Sequence, residues 1–432
     1  MGGALLHNAF RPLDQYFVGP LGREAQGGLG AVVFVSIVAY GGALLLSGGA
    51  GPLVARATGA GDGQARREVV GAALTGATAL GLTLAIGGLF GAERVVDLLG
   101  LDGPTHAHAT AYLRVLLATG AAMTVAPTVD ASFQSMGDTR TPMLLQALAL
   151  ALNATLTPAL IHLAGWGVAG AALGTTLAQT TATGVGLALL WRAVGLDRRT
   201  LLADARRRLG AILSLGAPVA AGIASFAAVY WGLLATSISP LGPSVNAALG
   251  IGFGALESMT WPLFFGGMIA SASLVGRRLG AGEPDEAWRA IHMMAGPVTL
   301  LGLGVGVLFY TVGPIAGGWL AADREVAREV ALYAVILAVS QPFVAVEAFA
   351  EGVLNGSGHT RAVLWASLPL NALRIPLAWL LAIHLGWGAA GVWWAVAATS
   401  IGKALVKGAL VWGGGWVRPP AAARPLSRRA GV

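Results

Sequence analysis

Gly59-Ala60-Gly61-Asp62 returns as Gly280-Ala281-Gly282-Glu283, and the interval between them (280−59 = 221) governs the whole chain. Gly137-Asp138-Thr139-Arg140 returns as Gly358-His359-Thr360-Arg361 at the same interval. So does Gly165-Trp166-Gly167 with Gly170, as Gly386-Trp387-Gly388 with Gly391. Pro20-Leu21-Gly22 and Pro240-Leu241-Gly242 lie one residue closer, and Ile161-His162-Leu163 and Ile383-His384-Leu385 one further apart. Solenoid units run about 20–50 residues, so a period this long is a duplicated half-protein.

The 432 residues are 56% hydrophobic and only 11% charged, against about 25% charged in soluble chains. That excludes a soluble globule. Most charges fall in short gaps between apolar runs of about 20 residues, the length that crosses a bilayer. The 64 glycines suit helices packed closely through small residues in lipid. The net charge of +7 does not point to nucleic acid, because the arginines sit in inter-helix loops rather than on one face; positive-inside topology accounts for them. With no cysteine, disulfides and thiolate chemistry are excluded. Met1–Phe10 has neither a basic region nor a small-residue cleavage site, so no cleavable signal peptide is expected.

The hydropathy pattern predicts an all-α polytopic protein of about twelve spans: 3–20, 28–56, 67–92, 105–129, 140–163, 167–193, 210–238, 243–275, 288–316, 328–354, 361–385 and 388–414. Six spans per half give two six-helix lobes in the same orientation, related by a pseudo-twofold axis along the membrane normal. The expected division is an N-lobe 1–194, a basic linker 195–209, a C-lobe 210–414 and a basic tail 415–432. Leu201, Leu202 and Leu209 suggest an amphipathic linker helix on the inner surface. Arg66, Arg67, Arg140, Arg206, Arg207, Arg208, Arg277 and Arg278 lie in even-numbered loops and Arg424, Arg428 and Arg429 in the tail. Odd-numbered loops hold little beyond Arg23, Arg94, Arg324 and Arg328. This bias places both termini in the cytoplasm of a bacterial inner membrane. Span one is short and carries Arg11, Asp14 and Gln15. The repeat retains it as a helix, apparently truncated: counting back, it should begin about ten residues before Met1, to within the usual boundary error, so either the true start lies upstream or the helix lacks a turn or more.

Asp14-Gln15-Tyr16-Phe17-Val18-Gly19-Pro20-Leu21-Gly22 resembles the first-helix ending of the multidrug and toxic compound extrusion (MATE) transporters. Leu53–Asp62 is similar to their loop after helix two, and Met136–Pro142 to their Gly-Asp-Thr-Arg turn. Val168–Leu173, Val275–Gly282 and Arg374–Ala378 continue the likeness in order along the chain. The resemblance implies two lobes opening alternately to the two sides, and export of small organic, often cationic compounds driven by H⁺ or Na⁺. No other cofactor and a monomer are expected, with the lipid bilayer as surroundings and no nucleic acid, as the composition and charge pattern above indicate.

Ionisable groups within membrane spans are costly and mark ion or substrate paths. Asp14 is read as a carboxylate that binds and releases the coupling cation, with a helix-end cap as the bland alternative. In one branch of the resembled family, such an acid anchors a cluster whose positions match Tyr112, Asn153, Thr157 and Thr175. Thr157 stands where a second Asp is usual, so two coupled acids are not available here. Glu257, mid-span and five residues before Pro262, is read as a C-lobe site for the cation, Na⁺ included, or for substrate; a helix-packing polar group is the alternative. Family members with an acid in helix seven carry it near Phe226, and this chain has none there.

Asp130 and Glu351 are repeat mates, each two helical turns before a Gly-x-Thr-Arg turn, and are read as structural groups pairing with a loop arginine. For Glu347 both readings stay open. Arg374, the mate of Asn153, needs a counter-charge, with Glu257 and Glu347 as candidates. Lys403 and Lys407 share a helix face; they either snorkel to the inner surface or, for Lys403, line a cavity. Glu347, Arg374, Tyr230, Trp261 and Phe265 are the substrate-cavity candidates, the aromatic rings suiting an organic cation; Trp231 and Phe264 lie beside them, and core or belt positions are the alternative. His106-Ala107-His108 lacks a third ligand for zinc, and Gly302, Gly304 and Gly306 are packing glycines rather than a phosphate loop. No enzyme motif is present. A lipid-linked sugar flippase of the same superfamily is the nearest alternative, but it needs several cationic cavity residues, and only Arg374 and Lys403 qualify.

Overall fold

The 221-residue interval is written into the backbone as well as the sequence. Gly137 closes a helix in the left-handed region (φ 93°), with Gly137 N donating to Gln134 O and Asp138 N to Phe133 O. Its mate Gly358 does the same (φ 88°), with Gly358 N to Asn355 O and His359 N to Leu354 O. Glycine takes this conformation without the Cβ clash that other residues meet, which is why it ends helices here.

A computed structural model describes Leu6 and residues 10–21, 23–98, 103–197, 205–320 and 324–418. Residues 3–5 and 7–9 of the first expected span, Leu201 and Leu202 of the linker, and Arg424, Arg428 and Arg429 of the tail lie outside the described residues. The helices are α1 (Phe10–Val18), α2 (Arg23–Gly59), α3 (Gly63–Leu98), α4 (Gly103–Ala118), α5 (Gly120–Met136), α6 (Arg140–Pro158), α7 (Gly167–Val194) and α8 (Ala205–Leu233). They continue as α9 (Pro243–Ile251), α10 (Ser258–Gly280), α11 (Pro284–Thr311), α12 (Gly313–Leu320), α13 (Arg324–Ala338), α14 (Gln341–Gly356), α15 (Thr360–Trp379) and α16 (Ala389–Trp412). The described residues contain no β-strand.

Among the described residues seven helices are long and apolar enough to cross a membrane, and two bent pairs make nine. The remaining three expected spans coincide with α1, α2 and α7, giving about twelve in all. Large apolar side chains such as Phe90, Leu163 and Trp319 are more than 80% exposed, as a lipid-facing surface requires. Hydropathy did not anticipate the bends. α4 meets α5 at 53° and α13 meets α14 at 56°. At the first break Thr119 Oγ1 donates to Leu116 O (2.9 Å); at the second its mate Ser340 donates to Leu337 O (2.8 Å). A hydroxyl that takes a carbonyl from the helix ladder weakens it at that point. Both halves also widen into a π-helical turn at matching places, Ala159–Leu163 and Leu380–His384.

The chain divides into two compact units at Ala220–Ala221, within α8. In the N-terminal unit the first half of α8 lies directly on α2. A Cβ on Gly49 would run into Ile212 O, and one on Gly216 into Leu45 O. Arg67 Nε donates to Val194 O (2.9 Å) and Arg208 pairs with Glu68 (2.6 Å), holding both ends of the 195–205 connection on α3. In the C-terminal unit α14 packs on α10 in the same small-residue manner, through Gly352 against Met268 O and Gly356 against Ala272 O. Its core includes Tyr333, Phe309 and Trp393.

Candidate functional site

Each unit holds a set of polar groups that hydropathy alone would reject from a bilayer. In the N-terminal unit the set centres on Asp14, only 5% exposed. Thr175 Oγ1 lies 3.1 and 3.0 Å from its two carboxylate oxygens. Asn153 Nδ2 donates to Oδ1 at 3.3 Å, and Tyr112 reaches Oδ2 at 3.5 Å, the edge of hydrogen-bond range. Asn153 Nδ2 also lies 2.7 Å from Thr175 Oγ1 and 3.0 Å from Thr157 Oγ1. With two protons for three acceptors it cannot serve all at once, so the cluster has more than one arrangement. Asn153 Oδ1 is buried and, among the described residues, accepts no hydrogen bond. Tyr112, Asn153 and Thr175 therefore surround Asp14, at the positions the family resemblance implied, while Thr157 stands one bond out, on Asn153. Among the described residues no Lys, Arg or His pairs with Asp14.

In the C-terminal unit Glu257 ends a π-helical turn, Gly252–Glu257, between α9 and α10. Such turns rotate side chains out of helical register and recur at functional positions. Tyr333 donates to Glu257 Oε1 at 2.6 Å, and the charges of Arg374 and Lys403 are near enough to act on the carboxylate. Tyr333 is the repeat mate of Tyr112. The sequence reading missed it, although the 221-residue interval marks it.

Arg374 corrects an expectation. Its guanidinium forms no ion pair with Glu257 or Glu347. It is 2% exposed, donates to Thr399 Oγ1 (2.9 Å) and Ser400 Oγ (3.1 Å), and stands 5.7 Å over the Tyr230 ring. Glu347 is taken by lysines instead, Lys403 at 3.1 Å and Lys407 at 2.8 Å, and Lys407 also binds Glu351 at 2.6 Å. Both lysines are buried, so they do not snorkel to a surface. Spacing explains the ladder. Glu347 and Glu351 are one turn apart on α14, as are Lys403 and Lys407 on α16, so four side chains interleave. Glu351 thus pairs with a helix lysine, and Asp130 accepts from Gln146 (3.0 Å); neither meets the loop arginine expected for it.

Around Tyr230 the rings are Phe226 (4.6 Å between centroids) and Phe253 (5.3 Å). Trp261 and Phe265 pair with each other at 6.5 Å, apart from that group. His106 pairs with Asp97 (2.8 Å), and the described residues contain no cluster of three metal-binding side chains.

The MatE family model matches residues 2–159 and 209–380. The multidrug resistance protein NorM of Burkholderia vietnamiensis is 31% identical, over 92% of this chain and 88% of its own. The "Probable multidrug resistance protein NorM" of Bradyrhizobium diazoefficiens is 29% identical, over 92% and 87%. Among solved structures, a MATE in complex with MaL6 superposes with a TM-score of 0.88 at 21% identity, covering 96% of this chain and 93% of that one.

Proposed function

From the premise that the chain belongs to the MatE family of multi-pass membrane proteins, we propose that it is a cation-driven antiporter. It exports small organic compounds, many of them cationic, from a bacterial cytoplasm across the inner membrane by alternating access. Both termini face the cytoplasm, and the protein works as a monomer and not as an enzyme. The observation that carries the reading is Asp14: a buried carboxylate held by neutral donors. A buried carboxylate is kept only if something neutralises it, and here that is a proton or a Na⁺ ion drawn from outside. Thr175, Asn153 and Thr157 supply oxygens for either. The coupling is a difference in affinity: the cation and the substrate favour opposite-facing states, so each expels the other.

In the C-terminal unit Glu257, with Tyr230, Phe226 and Phe253 close by in sequence or space, takes the cationic part of the substrate. Glu347 is a structural support of that wall rather than a direct contact, because its charge is spent on Lys403 and Lys407, and Arg374 supports it from behind the Tyr230 ring, with its donors engaged by Thr399 and Ser400. Trp261 and Phe265 border it. A lipid-linked sugar flippase would need several free cations for a pyrophosphate; Lys403 and Lys407 are engaged by Glu347 and Glu351, which leaves only Arg374 of these three without an acidic partner among the described residues and supports the exporter reading.

Proteoliposomes carrying H⁺ and Na⁺ gradients, imposed separately, test this. The wild type should export an organic cation with one of the two gradients, and Asp14→Asn should abolish that efflux while still inserting. Unchanged efflux in Asp14→Asn removes Asp14 from the mechanism.

A further inference from the structure

The Glu–Lys ladder of the C-terminal unit has a counterpart position in the N-terminal unit, and the residues there are different. At the 221-residue interval, Glu347 corresponds to Ala126, Glu351 to Asp130, Lys403 to Ala182 and Lys407 to Gly186. One carboxylate is retained and both lysines are gone. At this place the N-terminal unit contains a cavity of about 10 Å³, lined by Asp130, Gln146, Gln179 and Thr183 among apolar side chains that include Ala126 and Ala182. That volume suits one water-sized species.

The cavity's polar side is one carboxylate, two amides and one hydroxyl. Asp130 accepts from Gln146 Nε2 at 3.0 Å, and among the described residues it forms no ion pair. Gln146 Oε1 is buried and accepts no hydrogen bond among the described residues. Thr183 Oγ1 donates to Gln179 O at 2.7 Å, which leaves its lone pairs free to accept. A carboxylate, a hydroxyl and an amide whose oxygen has no partner where it now lies, around a one-atom space, can form a donor set for a small hard cation once that amide turns. In the C-terminal unit the same place is filled by the Lys407 ammonium on Glu351.

We propose that Asp130, Gln146 and Thr183 bind one Na⁺ ion, which does for Asp130 what the tethered lysine ammonium does for Glu351. Turning over the Gln146 amide, whose oxygen and nitrogen are interchangeable in shape, brings Oε1 to the ion beside the carboxylate. The site is separate from Asp14 and does not depend on transport, so its test reads binding rather than efflux.

The test uses full-length protein in detergent, with Asp14→Asn and Glu257→Gln introduced to silence the other acids. Thermal unfolding is followed in NaCl and in choline chloride at equal ionic strength, together with equilibrium binding of radiolabelled Na⁺. Na⁺ should raise Tm saturably and bind once per chain. Adding Asp130→Asn, or the milder Gln146→Leu if that protein misfolds, should remove both the shift and the bound label. Gly186→Lys, which restores the mate of Lys407, should also remove the Na⁺ dependence of Tm and the bound label, whatever its own Tm. A Cβ at Gly186 would stand 2.7 Å from Leu145 Cδ1 and 3.0 Å from Val129 Cγ1, so the Leu145 side chain must shift to admit the lysine. A Na⁺ shift that survives both Asp130→Asn and Gln146→Leu overturns the site. So does a Tm that follows pH but is the same in Na⁺ and choline, which would assign Asp130 a proton instead.

Discussion

Each unit sets a tyrosine from the same position in the repeat against an acid within a span, Tyr112 toward the buried Asp14 and Tyr333 toward the partly buried Glu257. The acids themselves come from different helices of the repeat, α1 in one unit and the α9–α10 turn in the other. The next mates diverge in charge: Asn153 beside Asp14, Arg374 near Glu257. The N-terminal unit therefore leaves its intramembrane acids Asp14 and Asp130 to neutral donors, while the C-terminal unit pairs Glu347 and Glu351 with Lys403 and Lys407 and holds Arg374 among hydroxyls. A duplicated scaffold has kept its hydrogen-bonding positions and changed where neutrality comes from. The half that must take a cation from outside is the half suited to coupling.

Swapping one mate for the other is the strongest way to break this contrast. Asn153→Arg brings the C-terminal unit's cation to Asp14, and a permanent internal counter-charge should abolish gradient-driven efflux, measured in proteoliposomes, while the protein still inserts. The converse disturbance acts on stability. Glu347→Ala strips two buried lysines of a shared partner, and breaking a buried pair costs about 3–5 kcal/mol. Thermal unfolding should show that loss. Replacing Glu347, Lys403 and Lys407 together by Leu or Met should return much of it, because well-packed apolar groups of similar volume often match a buried ion pair.

The tyrosines give a smaller and graded test. Tyr333→Phe removes a 2.6 Å hydrogen bond to a carboxylate, an interaction worth about 1.5–3 kcal/mol. Tyr112→Phe removes one at 3.5 Å and should cost clearly less in the same unfolding assay. Equal losses would mean that the two acids are held alike.

How far the sequence foretold this depends on whether a feature is periodic or relational. The interval, the spans and the turn glycines are local and periodic, and they were legible in the sequence. Asp14 was legible because a lone acid in an apolar run stands out, and its ring of Tyr112, Asn153 and Thr175 came from the family resemblance. The Glu347–Lys403–Lys407–Glu351 ladder was not, because hydropathy treats a lysine as a charge seeking water and cannot see that another helix supplies its partner. The Arg374 contacts with Thr399 and Ser400 are hidden for the same reason, since hydroxyls carry no signal in a search for counter-charges. The bends at Thr119 and Ser340 depend on where a hydroxyl turns, which composition does not encode. Tyr333 differs from all of these: the repeat interval points at it directly.

The smallest difference between the halves lies in the turn before α6 and α15. Asp138 accepts from Arg140 N, Thr141 N and Thr141 Oγ1 at 2.6–3.0 Å, where the other half has His359. Burial pushes this carboxyl up slightly, but the hydrogen bonds outweigh it and hold it below the usual carboxylate range. A lowered folded-state value means that the contribution is present above the ordinary carboxylate pKa and fades as pH falls through the folded value. Asp138→Ala should cost about 1 kcal/mol at neutral pH, with the gap to wild type narrowing in acid unfolding scans.

The claim that coupling resides in the N-terminal unit is met most directly by counting the ions that a substrate displaces. Protein in weakly buffered detergent solution, mixed with an organic cation, is followed with a pH indicator and a Na⁺-selective electrode. We expect one ion species to be released by the wild type, by Tyr333→Phe and by the apolar ladder variant, and none by Asp14→Asn or Asn153→Arg. Release that persists in Asp14→Asn, or that disappears only when the Glu257 region is altered, would contradict the account.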